Sequence, residues 1–110
     1  MDKNAALMAF DALSQDTRLD ALRLLIQAGA EGLPAGEIGE TLGVRQNTMS
    51  VNLKILAQAG LITAHREGRT VRYAADFTAI QALVLFLMKD CCGGRPDLCQ
   101  PVFDSMRCEC

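Results

Sequence analysis

Hydrophobic residues recur at helical spacing through the first quarter of the chain. Between Asn4 and Leu13 they fall three or four residues apart, as on one side of a first helix. Asp16 and Thr17 then offer capping oxygens for a second helix that runs from Thr17 to Ala28. The apolar side of this second helix is expected to comprise Leu19, Leu22, Leu25 and Ile26.

A short helix, a glycine and a longer helix follow. Pro34 suits the first turn of a helix, where its missing N–H would be unpaired in any case. The short helix is expected at Ala35–Leu42 and the longer one at about Gln46–Ala59, with Gly43 in the turn between them. The longer helix has two distinct faces, one with Met49, Leu53 and Leu56 and the other with Gln46, Asn47, Ser50 and Lys54. This order predicts a helix-turn-helix.

Two β-prone runs come next, at Leu61–His65 and Thr70–Tyr73, and Gly68 lies in the turn between them. They predict a hairpin, which in this position forms a wing. Asp76 is expected to cap a final helix, Phe77–Lys89, that is apolar around most of its circumference. Because one side suffices to cover the core of its own subunit, the remaining side is expected to pack against a second copy.

The predicted fold class is therefore mainly α with a small β-hairpin wing: a winged helix-turn-helix that forms a homodimer through its terminal helices. The expected contacts in the dimer interface are Leu7, Phe10, Ile80, Leu83, Val84 and Leu87.

Charge is distributed unevenly along the chain. The whole chain of 110 residues has a net charge of −2, which argues against indiscriminate binding to nucleic acid. Between Val44 and Tyr73, however, Glu67 is the one acidic residue. The basic residues of this segment are Arg45, Lys54, Arg66, Arg69 and Arg72. A basic segment on an acidic body predicts a surface that faces phosphate groups.

The length of the chain predicts one compact domain, residues 1–90, followed by a cysteine-rich tail, residues 91–110. The first ten residues lack the basic-then-apolar layout of a signal peptide. No apolar run approaches the ~20 residues that a membrane span requires. We therefore expect a cytoplasmic protein without a membrane partner.

All five cysteines lie in the tail, at Cys91, Cys92, Cys99, Cys108 and Cys110. Three thiolates, from Cys91, Cys92 and Cys99, would make a compact set of soft donors, which favours thiophilic ions over Mg²⁺ or Ca²⁺. Tetrahedral zinc would require a fourth ligand. Three sulfurs instead suit an ion that keeps a lone pair, such as As(III) or Sb(III). Cys108 and Cys110 are possible auxiliary ligands that we expect to be dispensable.

Two other uses of these thiols remain open, namely binding of another soft metal ion and redox sensing. Adjacent Cα atoms lie ~3.8 Å apart, below the usual separation in a disulfide, so Cys91 and Cys92 are a poor pair. Either of them with Cys99 could form a disulfide. A redox sensor requires two thiols, however, and the third would be surplus.

Several segments in this order resemble those of one known family. Ala12–Leu19, written ALSQDTRL, resembles an opening block, "ALSDPTRL", of the ArsR family of winged-helix metalloregulatory repressors. Met49–Ile62 resembles that family's "VSxHLxxLxxAGLV" block, and Arg66–Tyr73 resembles its wing. The resemblance spans residues 4 to 88. It implies a dimeric repressor that binds operator DNA, and the cysteine cluster is similar to a C-terminal arsenite site found in some members.

The chain departs from the family pattern in several respects, among them Gln15-Asp16 where Asp-Pro is common. Asn52 stands where a His is usual, and Arg45 stands where a Ser often caps the recognition helix. The segment Leu33–Ile38 has no thiol, although many members have a Cys-x-x-Cys signature there. The sole histidine, His65, lies in the wing, so the His ligands of zinc-binding members are missing as well.

The longer helix of the helix-turn-helix supplies most of the predicted contacts with DNA. Its N-terminal half is expected to read base edges, and Asn52 and Lys54 to contact the backbone. In the wing, Arg66 and Arg69 are expected to contact phosphates or the minor groove. The alternative for Asn47 and Thr48 is a capping role, and Arg72 is expected to face acidic groups of its own subunit. The predicted DNA-binding residues are Arg45, Gln46, Asn47, Thr48, Ser50, Asn52, Lys54, Arg66 and Arg69.

Together these features predict a repressor that is released from operator DNA by As(III) or Sb(III), with no organic cofactor. A sensor of another soft metal and a redox-sensing repressor of the same fold remain alternatives. A thiol-dependent oxyanion reductase is disfavoured because no anion-binding loop precedes the cysteines. A winged helix that binds a protein partner and no DNA would lack salt-dependent duplex binding.

Overall fold

Helices dominate the computed structural model, which describes residues 1–89 and 96–106. The elements up to residue 89 are α1 (Lys3–Leu13), α2 (Asp16–Ala28), β1 (Leu33–Pro34), α3 (Ala35–Leu42), α4 (Gln46–Gln58), β2 (Ile62–Glu67), β3 (Thr70–Ala75) and α5 (Phe77–Met88). Beyond the gap, a 3-10 turn, Pro96–Leu98, precedes a short helix, α6 (Gln100–Ser105), which the sequence pattern did not predict.

Side-chain caps fix where three of these helices begin. Asp2 accepts a hydrogen bond from the backbone N–H of Ala5, and Asp76 accepts one from Ala79, which confirms the predicted cap of α5. The predicted cap of α2 was wrong. Gln15 accepts from the N–H of Arg18, so α2 begins at Asp16 and not at Thr17.

The core lies between α1, α2, α3, α4 and the sheet. Met49, Leu53 and Leu56 of α4 are fully buried, as predicted. The apolar side of α2 was predicted in part, because Leu22 and Leu25 are buried whereas Leu19 and Ile26 are exposed. The other buried residues of the first two helices are Ala6, Ala9 and Ala12 of α1 and Ala21 of α2. Alanines give α1 a flat inner side that allows neighbouring helices to approach closely.

The predicted hairpin is present and is extended by a third strand. β2 and β3 pair antiparallel from Ile62↔Ala75 to Glu67↔Thr70, and Gly68 has a φ of 63° in the two-residue turn. β1 pairs with the other edge of β3, giving the order β1-β3-β2. Pro34 is therefore a strand residue and the N-cap of α3, not part of its first turn as predicted.

α5 (Phe77–Met88) contacts α1 and ends close to the predicted position. Leu83 is packed into the core, whereas Leu85 and Leu87 are exposed. Within the described residues, no helix is long and apolar enough to cross a lipid bilayer.

Candidate nucleic-acid interface

The N-terminal half of α4 presents a polar surface, as the helix-turn-helix pattern predicted. The exposed residues there and just before it are Arg45, Gln46, Asn47, Thr48 and Ser50, and Lys54 follows one turn later. With no acidic side chain among α4 residues 46–58, this surface is polar and basic. Such a helix can enter a major groove and offer donors and acceptors to base edges.

The turn between α3 and α4 is fixed by close packing. Gly43 ends α3 in a left-handed conformation, with a φ of 67°. Gln46 reaches back over α3, where its Nε2 donates to the carbonyl oxygen of Gly36 at 3.2 Å. Gly39 lies beneath this side chain, and a Cβ atom at position 39 would collide with the Gln46 amide. Gln46 therefore ties the start of α4 to α3 and is also exposed at the surface.

The start of α4 is capped by its own first turn. Arg45 makes no side-chain cap, as expected for a residue that cannot accept a hydrogen bond. Instead, Asn47 Oδ1 accepts from the backbone N–H of Thr48 at 2.9 Å. The capping role considered for Asn47 is thus present, and its side chain is nevertheless exposed beside Thr48 and Ser50.

Asn52 corrects the predicted set of DNA contacts. Its side chain is only 7% exposed, and both of its polar ends are used within the subunit. The Oδ1 atom accepts from Arg18 NH1 at 3.1 Å, and the Nδ2 atom donates to the carbonyl of Thr48 at 3.1 Å. A buried amide with both ends paired is not available to a DNA backbone, so Asn52 is structural.

Arg18 is the partner that the sequence pattern did not identify. It lies on α2, and its Nε donates to the carbonyl oxygen of Ala12 in the last turn of α1 at 2.6 Å. The only signal in the sequence was position, because Arg18 falls within the ALSQDTRL block. By its charge alone, an arginine at this position would be expected on the solvent side of α2.

The wing brings further basic groups beside α4. Arg66 lies on β2 and Arg69 in the hairpin turn, and both are exposed. Arg66 and Lys54 line the same groove between α4 and the hairpin, whose apolar lining includes Ala57, Val71 and Tyr73. The structure therefore assembles three of the predicted phosphate contacts, Lys54, Arg66 and Arg69, on adjacent elements.

Arg72 faces its own subunit, as predicted. Its Nε lies 3.1 Å from Glu67 Oε1, and its NH1 is 3.3 Å from the carbonyl oxygens of Glu31 and Gly32. Because this pair neutralises Glu67, the charge left on the hairpin comes from Arg66 and Arg69.

The terminal helices carry apolar side chains without cover in the single chain. Leu7 is 54% exposed, Phe10 38% and Leu87 59%, while Ile80 and Val84 are half-buried. Leu83 differs, because it is 7% exposed and belongs to the core of the subunit. Five of the six residues predicted for a dimer interface thus retain accessible surface.

The predicted thiol site falls mostly outside the described residues, which include neither Cys91 and Cys92 nor Cys108 and Cys110. Cys99 is 4% exposed and is disulfide-bonded. Residues 1–89 and 96–106 contain no group of three His, Cys, Asp or Glu side chains that could hold a metal ion. The three-sulfur site remains a prediction.

Comparison with known proteins agrees with the helix-turn-helix fold described above. Residues 13–65 match a family model described as a helix-turn-helix domain. The transcriptional repressor SdpR of Bacillus subtilis is 33% identical over 89 residues, which cover 81% of this chain and 96% of SdpR.

Solved structures agree with the sequence matches. One is the homodimeric winged helix-turn-helix DNA-binding domain of a possible ArsR-family transcriptional regulator from Mycobacterium bovis. It has a TM-score of 0.63 and 29% identity, covering 79% of this chain and 81% of that one. Another is the AntR antimony-specific transcriptional repressor, with a TM-score of 0.60 and 28% identity over 74% of this chain and 72% of that one.

Proposed function

Since this chain belongs to the ArsR family of winged-helix transcriptional regulators, we propose that it is a homodimeric repressor released from operator DNA by As(III) or Sb(III). The family consists of DNA-binding regulators and not of enzymes. The observation that carries the proposal is the exposed polar and basic surface formed by the N-terminal half of α4 and the wing.

DNA binding follows from the way this surface is built. The side chains of Asn47, Thr48 and Ser50 can reach base edges while α4 lies in a major groove. Lys54, Arg66 and Arg69 neutralise phosphates on either side of that groove. The remainder of the chain is acidic on balance, which favours the approach of the duplex to this surface.

Dimer formation is supported by the uncovered apolar residues of α1 and α5. Leu7, Phe10 and Leu87 would remain in water if the chain stayed a monomer. Two copies that join through these helices present two reading helices to successive major grooves of one duplex.

The choice of inducer rests on the chemistry of the cysteines. Cys91, Cys92 and Cys99 supply three soft donors, and each thiol that binds As(OH)₃ displaces one hydroxyl group as water. The antimony specificity named for one structural relative supports an ion of this group. Metalloid and operator are thermodynamically linked, so each must weaken the binding of the other by the same factor.

A redox-sensing repressor is a second candidate, favoured by one observation: Cys99 is disulfide-bonded. In this version two thiols lose two electrons and two protons to a peroxide, which is reduced to water and an alcohol or to two waters. The disulfide, and not the metalloid, would then weaken binding to DNA.

One titration separates the two candidates. A duplex selected from a random pool by the reduced protein is labelled, and its release is followed by fluorescence anisotropy with a phosphine reductant present. Release by stoichiometric arsenite in this reducing buffer supports the metalloid repressor. Release only by peroxide without reductant supports the redox sensor, and a protein that selects no duplex contradicts both.

A further inference from the structure

A chain of hydrogen bonds connects α1 to the N-terminal half of α4, which is proposed to contact base edges. It begins at the carbonyl oxygen of Ala12, which lies in the last turn of α1, where carbonyls have no partner within the helix. Arg18 donates to this oxygen from Nε at 2.6 Å and to Asn52 Oδ1 from NH1 at 3.1 Å. One planar guanidinium thus holds two helices at once.

The contacts continue inside α4. Asn52 Nδ2 donates to the carbonyl oxygen of Thr48 at 3.1 Å. In an α-helix this is also the carbonyl to which the backbone N–H of Asn52 donates. Thr48 in turn has its N–H bound by Asn47 Oδ1. The polar chain therefore ends among the side chains proposed to read base edges.

Arg18 is suited to this role by both its shape and its surroundings. Its guanidinium presents donors in a fixed plane, whereas the ammonium of a lysine is a point charge on a flexible stem. It is half-buried, and Asn52 beside it is nearly inaccessible to water. Hydrogen bonds from a charged donor in such a site are stronger than those between neutral groups at the surface.

We propose that Arg18 is a positioning residue for DNA binding, which acts through Asn52 to hold the N-terminal half of α4 at a fixed orientation to α1. Because α1 carries Leu7 and Phe10 of the proposed dimer surface, this bridge sets the angle of each reading helix relative to the second subunit. The effect on DNA binding rests on the proposed function, whereas the bridge, the hydrogen bonds from Arg18 to Ala12 and Asn52, does not.

The first test is a double-mutant cycle on duplex affinity with the full-length protein. Arg18→Lys retains the charge but cannot span both partners, and Asn52→Leu removes the amide at similar volume. Each single variant is expected to lower affinity for the selected duplex at least fivefold. The double variant is expected to bind no more weakly than the single variant with the lower affinity, because the two residues act through each other. Arg23→Lys, at an exposed position on the same helix, is the matched control and is expected to bind like the wild type.

Dimer fraction and helical circular dichroism are measured on each variant at the assay temperature. Affinities within fivefold of the wild type overturn the proposal, as do effects of the two substitutions that simply add. The proposal is also overturned if duplex affinity falls only as far as the folded fraction or the dimer fraction falls, since a general structural role would produce that result.

A second measurement uses no DNA and therefore keeps the bridge testable if the wild type binds no duplex. In the wild-type protein the Arg18 Nε–H is expected to give a slowly exchanging NMR signal. Asn52→Leu is expected to shift this signal, and Arg18→Lys to shift the amides of Asn47 and Thr48. An Arg18 Nε–H in rapid exchange with water, or shifts confined to α2, would overturn the bridge, whereas failure of the wild type to select a duplex would overturn only the proposed function.

Discussion

Gly32 lies against the backbone of Tyr73 so closely that a Cβ atom at position 32 would overlap the Tyr73 carbonyl. The contact occurs where β1 joins β3, next to the pairing Leu33↔Tyr73. Gly32 also has a φ of 63° with a ψ of −157°, a conformation that is essentially limited to glycine. Two separate constraints therefore keep a side chain out of this position.

Gly32→Ala is expected to destabilise the fold more than Gly29→Ala does. Gly29 has a similar conformation, with a φ of 76° and a ψ of −160°, but a Cβ atom there would meet nothing within 4 Å. Gly29→Ala should lower the free energy of unfolding by about 1–3 kcal/mol through backbone strain alone. Gly32→Ala should exceed that by about 2 kcal/mol because a backbone carbonyl cannot move aside as a side chain can. Urea denaturation of both variants measures the difference, and equal losses would show that the Tyr73 contact is unimportant.

Removing a wing arginine should change how strongly DNA binding depends on salt. For Arg66→Ala or Arg69→Ala, the slope of log affinity against log salt concentration is expected to become shallower by about 1, since one phosphate contact is lost. Anisotropy titrations between low and moderate salt give the slope.

Arg72→Ala is the matched control in the same hairpin. Its guanidinium is bound to Glu67 and to the carbonyls of Glu31 and Gly32, so the slope should stay unchanged. Its removal should instead lower the free energy of unfolding by about 1 kcal/mol. If the slope became shallower with Arg72→Ala and not with Arg66→Ala, Arg72 and not Arg66 would be the residue that contacts phosphate.

A charge on the terminal helices should separate the subunits. Phe10→Glu and Leu87→Glu are each expected to raise the dissociation constant of the dimer on the order of 100-fold, because a carboxylate would be buried without a partner. Leu19→Glu on α2, also an exposed leucine, should leave the dimer intact. Sedimentation equilibrium distinguishes these outcomes, and dimers that survive both substitutions would place the interface elsewhere.

Cys99→Ser should abolish release by arsenite while leaving duplex affinity within about twofold of the wild type, since Cys99 is buried and lies on neither α4 nor the hairpin. The paired substitution of Cys108 and Cys110 by Ser should still permit release. Arsenite titrations in phosphine-containing buffer provide the measurement. If the Cys99 variant still responds, Cys99 is not a ligand, and if the Cys108/Cys110 variant fails to respond, the tail contributes one.

Periodicity identified most of the fold because the helices of this chain are long and strongly patterned. Met49, Leu53 and Leu56 were assigned to the core correctly, since a helix of more than three turns shows its apolar side repeatedly. β1 was not predicted, because a strand of two residues, Leu33–Pro34, is too short to show alternating polar and apolar residues. It is defined only by its pairing with β3.

The candidate site was less predictable for a related reason. Exposure of Gln46, Thr48 and Ser50 follows from the helix pattern, but the burial of Asn52 depends on a residue 34 positions earlier in the chain. A polar residue can be placed inside a protein when a distant partner satisfies it, and hydropathy does not reveal such a partner. Asn52 was therefore misassigned, and Arg18 was not recognised as its partner.

The junction at Pro34 and Ala35 has a consequence for the form of nucleic acid that the protein can accept. β1 passes into α3 without an intervening residue, so the sheet that carries the wing and the helices that carry the reading surface share one stretch of backbone. We expect this connection to hold the wing tip and α4 at a fixed separation, which suits the groove spacing of B-form DNA. A duplex of A-form geometry, with its deep, narrow major groove, is therefore expected to bind poorly whatever its sequence.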